Sequence, residues 1–148
     1  MRRRTFLGIA VAATLVATKV AAAVQVIEVY KSPTCGCCGK WAEHLRNDGF
    51  AVNVHAIPNI DAFRVRTGVP AALASCHTAL VGGYVVEGHV PAADIRKLLT
   101  ERPKALGLAV PGMPAISPGM DAPHGPGYEV LLFQTDGASR VYHVYSQT

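Results

Sequence analysis

No Ser-His-Asp arrangement and no pair of carboxylates at catalytic spacing occurs in the sequence, so hydrolysis by either route has no candidate residues. Internal repeats and low-complexity tracts are absent too, which sets aside solenoids and compositionally biased scaffolds. Charge is scarce, at 16% of 148 residues, and the formal excess of +4 is misleading. Arg2, Arg3, Arg4 and Lys19 supply four of the 14 basic residues, and the 10 that follow face 10 acidic ones. No basic stripe remains to recruit nucleic acid or an anionic membrane. The one long apolar run, Phe6 to Val16, is too short and too soon followed by Lys19 to span a bilayer.

That run instead reads as part of an export signal. Arg2-Arg3-Arg4 forms a basic segment, Phe6 to Val16 an apolar segment, and Ala21-Ala22-Ala23 a small-residue cleavage site. Arg3-Arg4-Thr5-Phe6-Leu7 resembles the twin-arginine pattern, while an arginine-rich Sec signal fits equally. The expectation is a leader over residues 1–23, a periplasmic mature chain over 24–148 and no membrane span. About 125 residues remain, enough for a single domain with a real core and no need of disulfide staples.

Cysteine is also sparse, at four residues, but its distribution is uneven. Cys35, Cys37 and Cys38 fall within Cys35-Gly36-Cys37-Cys38-Gly39-Lys40-Trp41, and Cys76 stands in Ser75-Cys76-His77-Thr78. One turn of chain cannot direct three thiols into the same apolar interior. Thiolates are soft ligands for Cu(I), zinc or iron–sulfur clusters, and they are the nucleophiles of disulfide exchange.

Around these motifs the pattern predicts a strand over Val24–Tyr30, a loop with Pro33, and a helix beginning inside the cysteine motif and ending at Asn47-Asp48-Gly49. A second strand is expected over Phe50–Ile57. Short helices are expected over Ile60–Arg66 and Ala71–Ser75, then a strand or hairpin over Thr78–Val86 and a helix over Pro91–Arg102. Pro and Gly then recur through an irregular segment, about 103–126, of the kind that forms a functional or flexible loop. Glu129–Phe133 and Arg140–Tyr145 flank an Asp136-Gly137 turn and predict a C-terminal β-hairpin extension.

This order of elements is that of an α/β, thioredoxin-like, three-layer domain. Cys35 and Cys38 have C-x-x-C spacing at a helix start, where free amides and the helix dipole favour a thiolate. In such folds a cis-proline loop faces the thiols before the third strand. Cys76-His77 takes that place here, which predicts that Cys76 lies near the cluster in space.

Spacing also bears on the metal. Adjacent helical side chains diverge by roughly 100°, so Cys37 and Cys38 are expected to struggle to meet one ion at about 2.3 Å with two further thiolates. Several bridged Cu(I) ions tolerate divergent sulfurs and better neutralise four thiolate charges, which favours polynuclear copper over mononuclear zinc. The rival reading is a thiol–disulfide oxidoreductase using Cys35 and Cys38. Against it stand the extra vicinal thiol, which competes in every mixed disulfide, and Cys76 at the substrate-binding edge. A carrier that hands copper to a periplasmic copper-handling partner uses the same ligands, and the residues leave carrier and oxidoreductase both open.

The cysteine motif, Ser75-Cys76-His77-Thr78-Ala79 and Val85-Val86-Glu87-Gly88-His89-Val90-Pro91 together resemble the small exported copper-resistance proteins of the CopG type over roughly Val26 to Met113. The resemblance implies a thioredoxin-like fold, copper binding by Cys35, Cys37, Cys38 and Cys76, a role in copper resistance or homeostasis, and a possible redox activity. It does not reach the C-terminal hairpin.

Secondary ligand candidates are Met113 and Met120, thioethers suited to Cu(I), together with His77 beside Cys76 and His124 in a Pro-Gly turn. Each has an ordinary alternative: gap-filling or surface exposure for the methionines, loop orientation for His77 and a turn role for His124. His89 is expected to cap or buttress the last helix, Lys40 to be solvated or to stabilise a thiolate, and Trp41 to pack in the core.

Overall fold

The computed structural model describes residues 24–147, so the expected leader lies outside the described residues. Among these, seven strands and three α-helices alternate in the order β1 (Val26–Lys31), α1 (Cys37–Asn47), β2 (Ala51–Ala56), α2 (Ile60–Thr67), β3 (His77–Val81), β4 (Tyr84–Glu87), α3 (Ala92–Glu101), β5 (Gly107–Ala109), β6 (Tyr128–Phe133) and β7 (Ser139–Tyr145). One 3-10 turn, Ala71–Leu73, precedes β3. No helix among the described residues is long and apolar enough to cross a membrane.

The strands form one sheet in the order β2-β1-β3-β4-β5-β6-β7. Strand β1 runs parallel to β2 and antiparallel to β3, and β4 runs parallel to β5. Alternating residues sort to opposite faces, as the two-residue strand period requires. Ile27, Val29, Ala79, Val81, Val86, Leu108 and Val130 join Trp41 and Leu45 of α1 and Ile95 and Leu98 of α3 in the larger core. Val85, Ala109 and Phe133 point the other way, against Val69 and Leu73.

Helix α3 begins after Pro91, which has no side-chain acceptor with which to cap it. The ring of His44 on α1 fills that role, accepting from the Ala92 N–H at 3.0 Å, and so ties the two helices of the larger core together. The capping role expected of His89 therefore belongs to His44.

Of the two outcomes expected over Thr78–Val86, the hairpin is the one present: Gly82 and Gly83, both at positive φ, make the tight turn that two-residue hairpins favour, and 77–87 is a hairpin of two strands. One element differs from the sequence reading. Strand β5 lies within the segment expected to be irregular. It is only three residues long and starts with Gly107, whose absent Cβ would fall 1.6 Å from the Val85 carbonyl oxygen. A strand that needs glycine to fit carries almost no β-forming signal of its own.

The C-terminal hairpin extends the sheet through β5–β6 pairing and is latched to α3. Buried Asp94 accepts from His143 Nδ1 and from the Tyr145 hydroxyl, each at 2.7 Å.

Candidate metal centre

Register places the thiols. Strands β1 and β3 are antiparallel, with Lys31 opposite His77, so the loop leaving β1 and the residue entering β3 emerge side by side. Cys35, Cys37 and Cys38 follow the first and Cys76 precedes the second. Their four sulfurs lie within 4.8 Å of one another. The expected proximity of Cys76 to the cluster is present, with Cys76 Sγ 3.9 Å from Cys37 Sγ.

Cys35 and Cys38 are joined by a disulfide, while Cys37 and Cys76 are free. Cys38 is fully buried; the other three are partly exposed. Cys37 Sγ lies 3.5 Å from Cys35 Sγ. The predicted divergence of Cys37 and Cys38 does not keep their sulfurs apart. Cys38 turns inward to meet Cys35, Cys37 lies at the rim facing Cys76, and Cβ and Sγ give each thiol reach beyond its backbone direction. Angular divergence on the helix therefore supplies no argument against a single shared ion.

The Cys76 side is rigidly built. Buried Glu87 accepts from the Ser75 N–H at 2.7 Å, from Arg64 Nε at 2.8 Å and from the Thr78 hydroxyl at 2.5 Å. Arg64 Nη2 donates to the Ser75 carbonyl oxygen. Ser75, the residue immediately before Cys76, is thus held at both its backbone donor and its backbone acceptor. Burial pushes the Glu87 carboxyl above the usual carboxylate range, opposed by those three donors.

Two histidines complete the surroundings. His77 Nδ1 lies 3.2 Å from Cys76 Sγ, and the His77 ring packs on Trp41 with centroids 4.2 Å apart. Trp41 is a core residue, as expected, and its Nε1–H donates to the Val90 carbonyl oxygen at 2.8 Å. His89 Nε2 lies 2.9 Å from Cys76 Sγ. The expected role of His89, capping or buttressing the last helix, missed this contact. The signal was available: counting outward from the Gly82-Gly83 turn sets Thr78 against Glu87, and two residues further on Cys76 against His89.

Burial dominates the electrostatics. It lowers the pKa of His77 to about 3, helped by neighbouring His89, and lowers that of His89 as well. Burial, and then the neighbouring Cys37 thiol, raises the Cys76 thiol far above its ordinary range. Without a cation this site is neutral: protonated thiol, unprotonated imidazoles. A metal ion reverses the preference by supplying the missing positive charge.

The Pro/Gly-rich segment buttresses the site from two sides. Gly112 N–H donates to the Ala74 carbonyl oxygen, and the Gly112 carbonyl accepts from the Ser75 hydroxyl. Gly119, at φ +89, lies so close to α1 that an added Cβ would fall 2.7 Å from the Trp41 nitrogen. Met113, which follows Gly112, is 55% exposed, and Met120, which follows Gly119, is half-buried. His124 is exposed and stands outside both metal-competent groups of side chains. Lys40 forms an exposed pair with Asp121 at 3.3 Å, the solvated outcome of the two expected for it.

Comparison with known proteins agrees with the motifs. Residues 73–120 match a family described as a protein of unknown function, DUF411. No curated protein matches the chain. Two solved structures, described as copper resistance protein copG in form 1 and form 2, are each 43% identical to it with a TM-score of 0.78. Each covers 82% of this chain, and the matches take in 97% and 98% of their own lengths. With the seven-strand sheet, the C-x-C-C loop beside Cys76 and this identity over nearly the whole of its relatives, the chain belongs to the CopG family of copper-resistance proteins.

Proposed function

We propose that the mature chain is a periplasmic protein that holds Cu(I) in a polynuclear thiolate cluster for copper resistance, with a redox role. The observation that carries this reading is the convergence of Cys35, Cys37 and Cys38, at the entry to α1, with Cys76, at the entry to β3, to within 4.8 Å. Sulfur-only donor sets suit Cu(I). Geometry alone admits one ion; the case for several rests on charge, since four thiolates leave a net charge of −3 around one Cu(I). Two of those thiolates become available only when the Cys35–Cys38 disulfide takes up two electrons from a reductant. Export rests on the arginine-rich leader and its small-residue cleavage site.

We also read the core as thioredoxin-like. The sheet order β2-β1-β3-β4, with β1 parallel to β2, and a C-x-x-C pair bridging the entry to α1 support that assignment.

The bonded Cys35–Cys38 pair is the feature that speaks for thiol–disulfide exchange instead. Cys37, 3.5 Å from Cys35, speaks against it, because it intercepts any mixed disulfide formed there. Anaerobic titration of the reduced mature protein against a competing Cu(I) chelator tests the proposal. More than one Cu(I) per chain is expected; saturation by a single zinc with no copper beyond it would refute the cluster.

A further inference from the structure

Two buried imidazoles converge on one sulfur. Cys76 Sγ lies 3.2 Å from His77 Nδ1 and 2.9 Å from His89 Nε2, and the three residues offer ligand atoms within 4.8 Å of one another. Hydrogen-bond chemistry fixes the protons. His89 Nδ1 meets the Pro118 carbonyl oxygen at 2.7 Å, and a carbonyl only accepts, so Nδ1 carries the hydrogen. Nε2 therefore presents a bare lone pair to Cys76. A backbone carbonyl on the remote nitrogen is also what orients metal-bound histidines in general.

Cys76 has one proton to give, and the 2.9 Å contact assigns it to His89. His77 Nδ1 must then be the N–H that faces sulfur, which leaves His77 Nε2 bare, buried and without a partner. Burial of an imidazole whose single side-chain hydrogen bond is to a weak sulfur acceptor is costly.

We propose that Cys76, His77 and His89 form a mixed sulfur–nitrogen site for a divalent transition-metal ion, and that the disulfide-bonded chain retains it. One thiolate and two imidazoles suit borderline ions such as zinc(II) or copper(II), whereas four thiolates suit Cu(I). The site shares Cys76 with the thiolate cluster but needs neither Cys35 nor Cys38, and it does not rest on the cluster being polynuclear. Across a tetrahedral ion, bonds of about 2.3 Å to sulfur and 2.0 Å to nitrogen separate the donors by roughly 3.5 Å. From the observed 2.9 and 3.2 Å, the His89 and His77 rings would have to back away by about 0.6 and 0.3 Å. On binding, the thiol proton leaves to solvent and the His77 proton passes to Nε2, so both imidazoles offer a lone pair to the ion.

The probe is Co(II), added to oxidised mature protein whose Cys35–Cys38 bond has been verified by mass. One Co(II) per chain is expected, with a thiolate-to-cobalt charge-transfer band and the strong visible absorption of a four-coordinate ion, both lost on adding Zn(II). Cys76→Ser should remove the charge-transfer band, while Cys37→Ser should keep it. His89→Gln, with its fold checked by circular dichroism, should weaken Co(II) binding about tenfold or more. Reduced His89→Gln should still bind as much Cu(I) as reduced wild type, so the two sites fail separately. If His89→Gln does not fold, Cys76→Ser decides, since that residue is only partly buried. No Co(II) uptake by the oxidised wild type, or a charge-transfer band that survives Cys76→Ser or vanishes with Cys37→Ser, overturns the proposal.

Discussion

Arg64 and Glu87 grip the same residue from opposite ends: Glu87 accepts the Ser75 N–H while Arg64 donates to the Ser75 carbonyl oxygen, and the two side chains pair with each other at 2.8 Å. Cys76 is the next residue. An ion pair this buried is weak evidence for stability as such, because desolvation offsets its attraction. What it provides here is the position of a ligand loop. Removing only Arg64 should be costly, since Glu87 is left buried without its cation; Arg64→Ala is expected to lose about 3–5 kcal/mol. Without Arg64, the raised Glu87 pKa rises further, so the folded state binds a proton that the unfolded state has released. The loss should thus be larger at pH 7 than at pH 5. Urea unfolding at the two pH values measures both effects.

Acid sensitivity should come from His77. Its folded pKa, about 3, lies below the ordinary 6.5, so the unfolded state binds the proton first. Stability from the neutral ring is complete above about pH 6.5 and is lost as pH falls towards 3, by on the order of 1 kcal/mol per pH unit. His89 is shifted in the same direction and adds to the slope. The metal-free protein should unfold at lower urea at pH 5 than at pH 7. His77→Gln should flatten that dependence, and an unchanged slope would mean that the ring is not buried as described.

Cys37→Ser separates copper binding from disulfide exchange. Exchange needs the Cys35–Cys38 pair, and copper clustering needs Cys37 as well. The substitution is expected to abolish cluster formation, and wild type is expected to be a poor catalyst of insulin reduction. Full copper binding by the variant, alongside efficient reduction by wild type, would hand the function to the oxidoreductase reading.

Gly119→Ala tests the loop that packs against α1. A Cβ there sits 2.7 Å from the Trp41 nitrogen on a backbone at φ +89, so the 118–121 turn must move off the helix. About 2 kcal/mol of stability should be lost, from strain and lost packing together. Pro118, whose carbonyl orients His89, would shift with it. A thermal melt indistinguishable from wild type would contradict the packing.

The larger elements were legible in the sequence because each carries its own signal. Alternating Val and Ile mark β1, the Leu45 and Leu98 faces mark α1 and α3, and Asp136-Gly137 marks the final turn. Three thiols in one loop announced the site directly. What escaped depended on pairing between distant residues. Strand β5 forms because Gly107 lets it approach Val85, and His89 joins the site only through the β3–β4 register. Convergence of Cys37 and Cys38 was misjudged because helical divergence describes backbone directions, not where a sulfur ends two bonds further out.

Lys31 opposite His77 has a kinetic consequence. The two halves of the metal centre are 38 residues apart at their nearest, Cys38 to Cys76, and meet only when β1 has paired with β3 across an intervening helix, strand and helix. Loop closure of that length must precede the contacts that reward it. A nascent or unfolded chain therefore offers a three-thiol peptide but no Cys76 and no histidines. Metal capture by the complete centre is a property of the folded molecule, acquired late on the folding path.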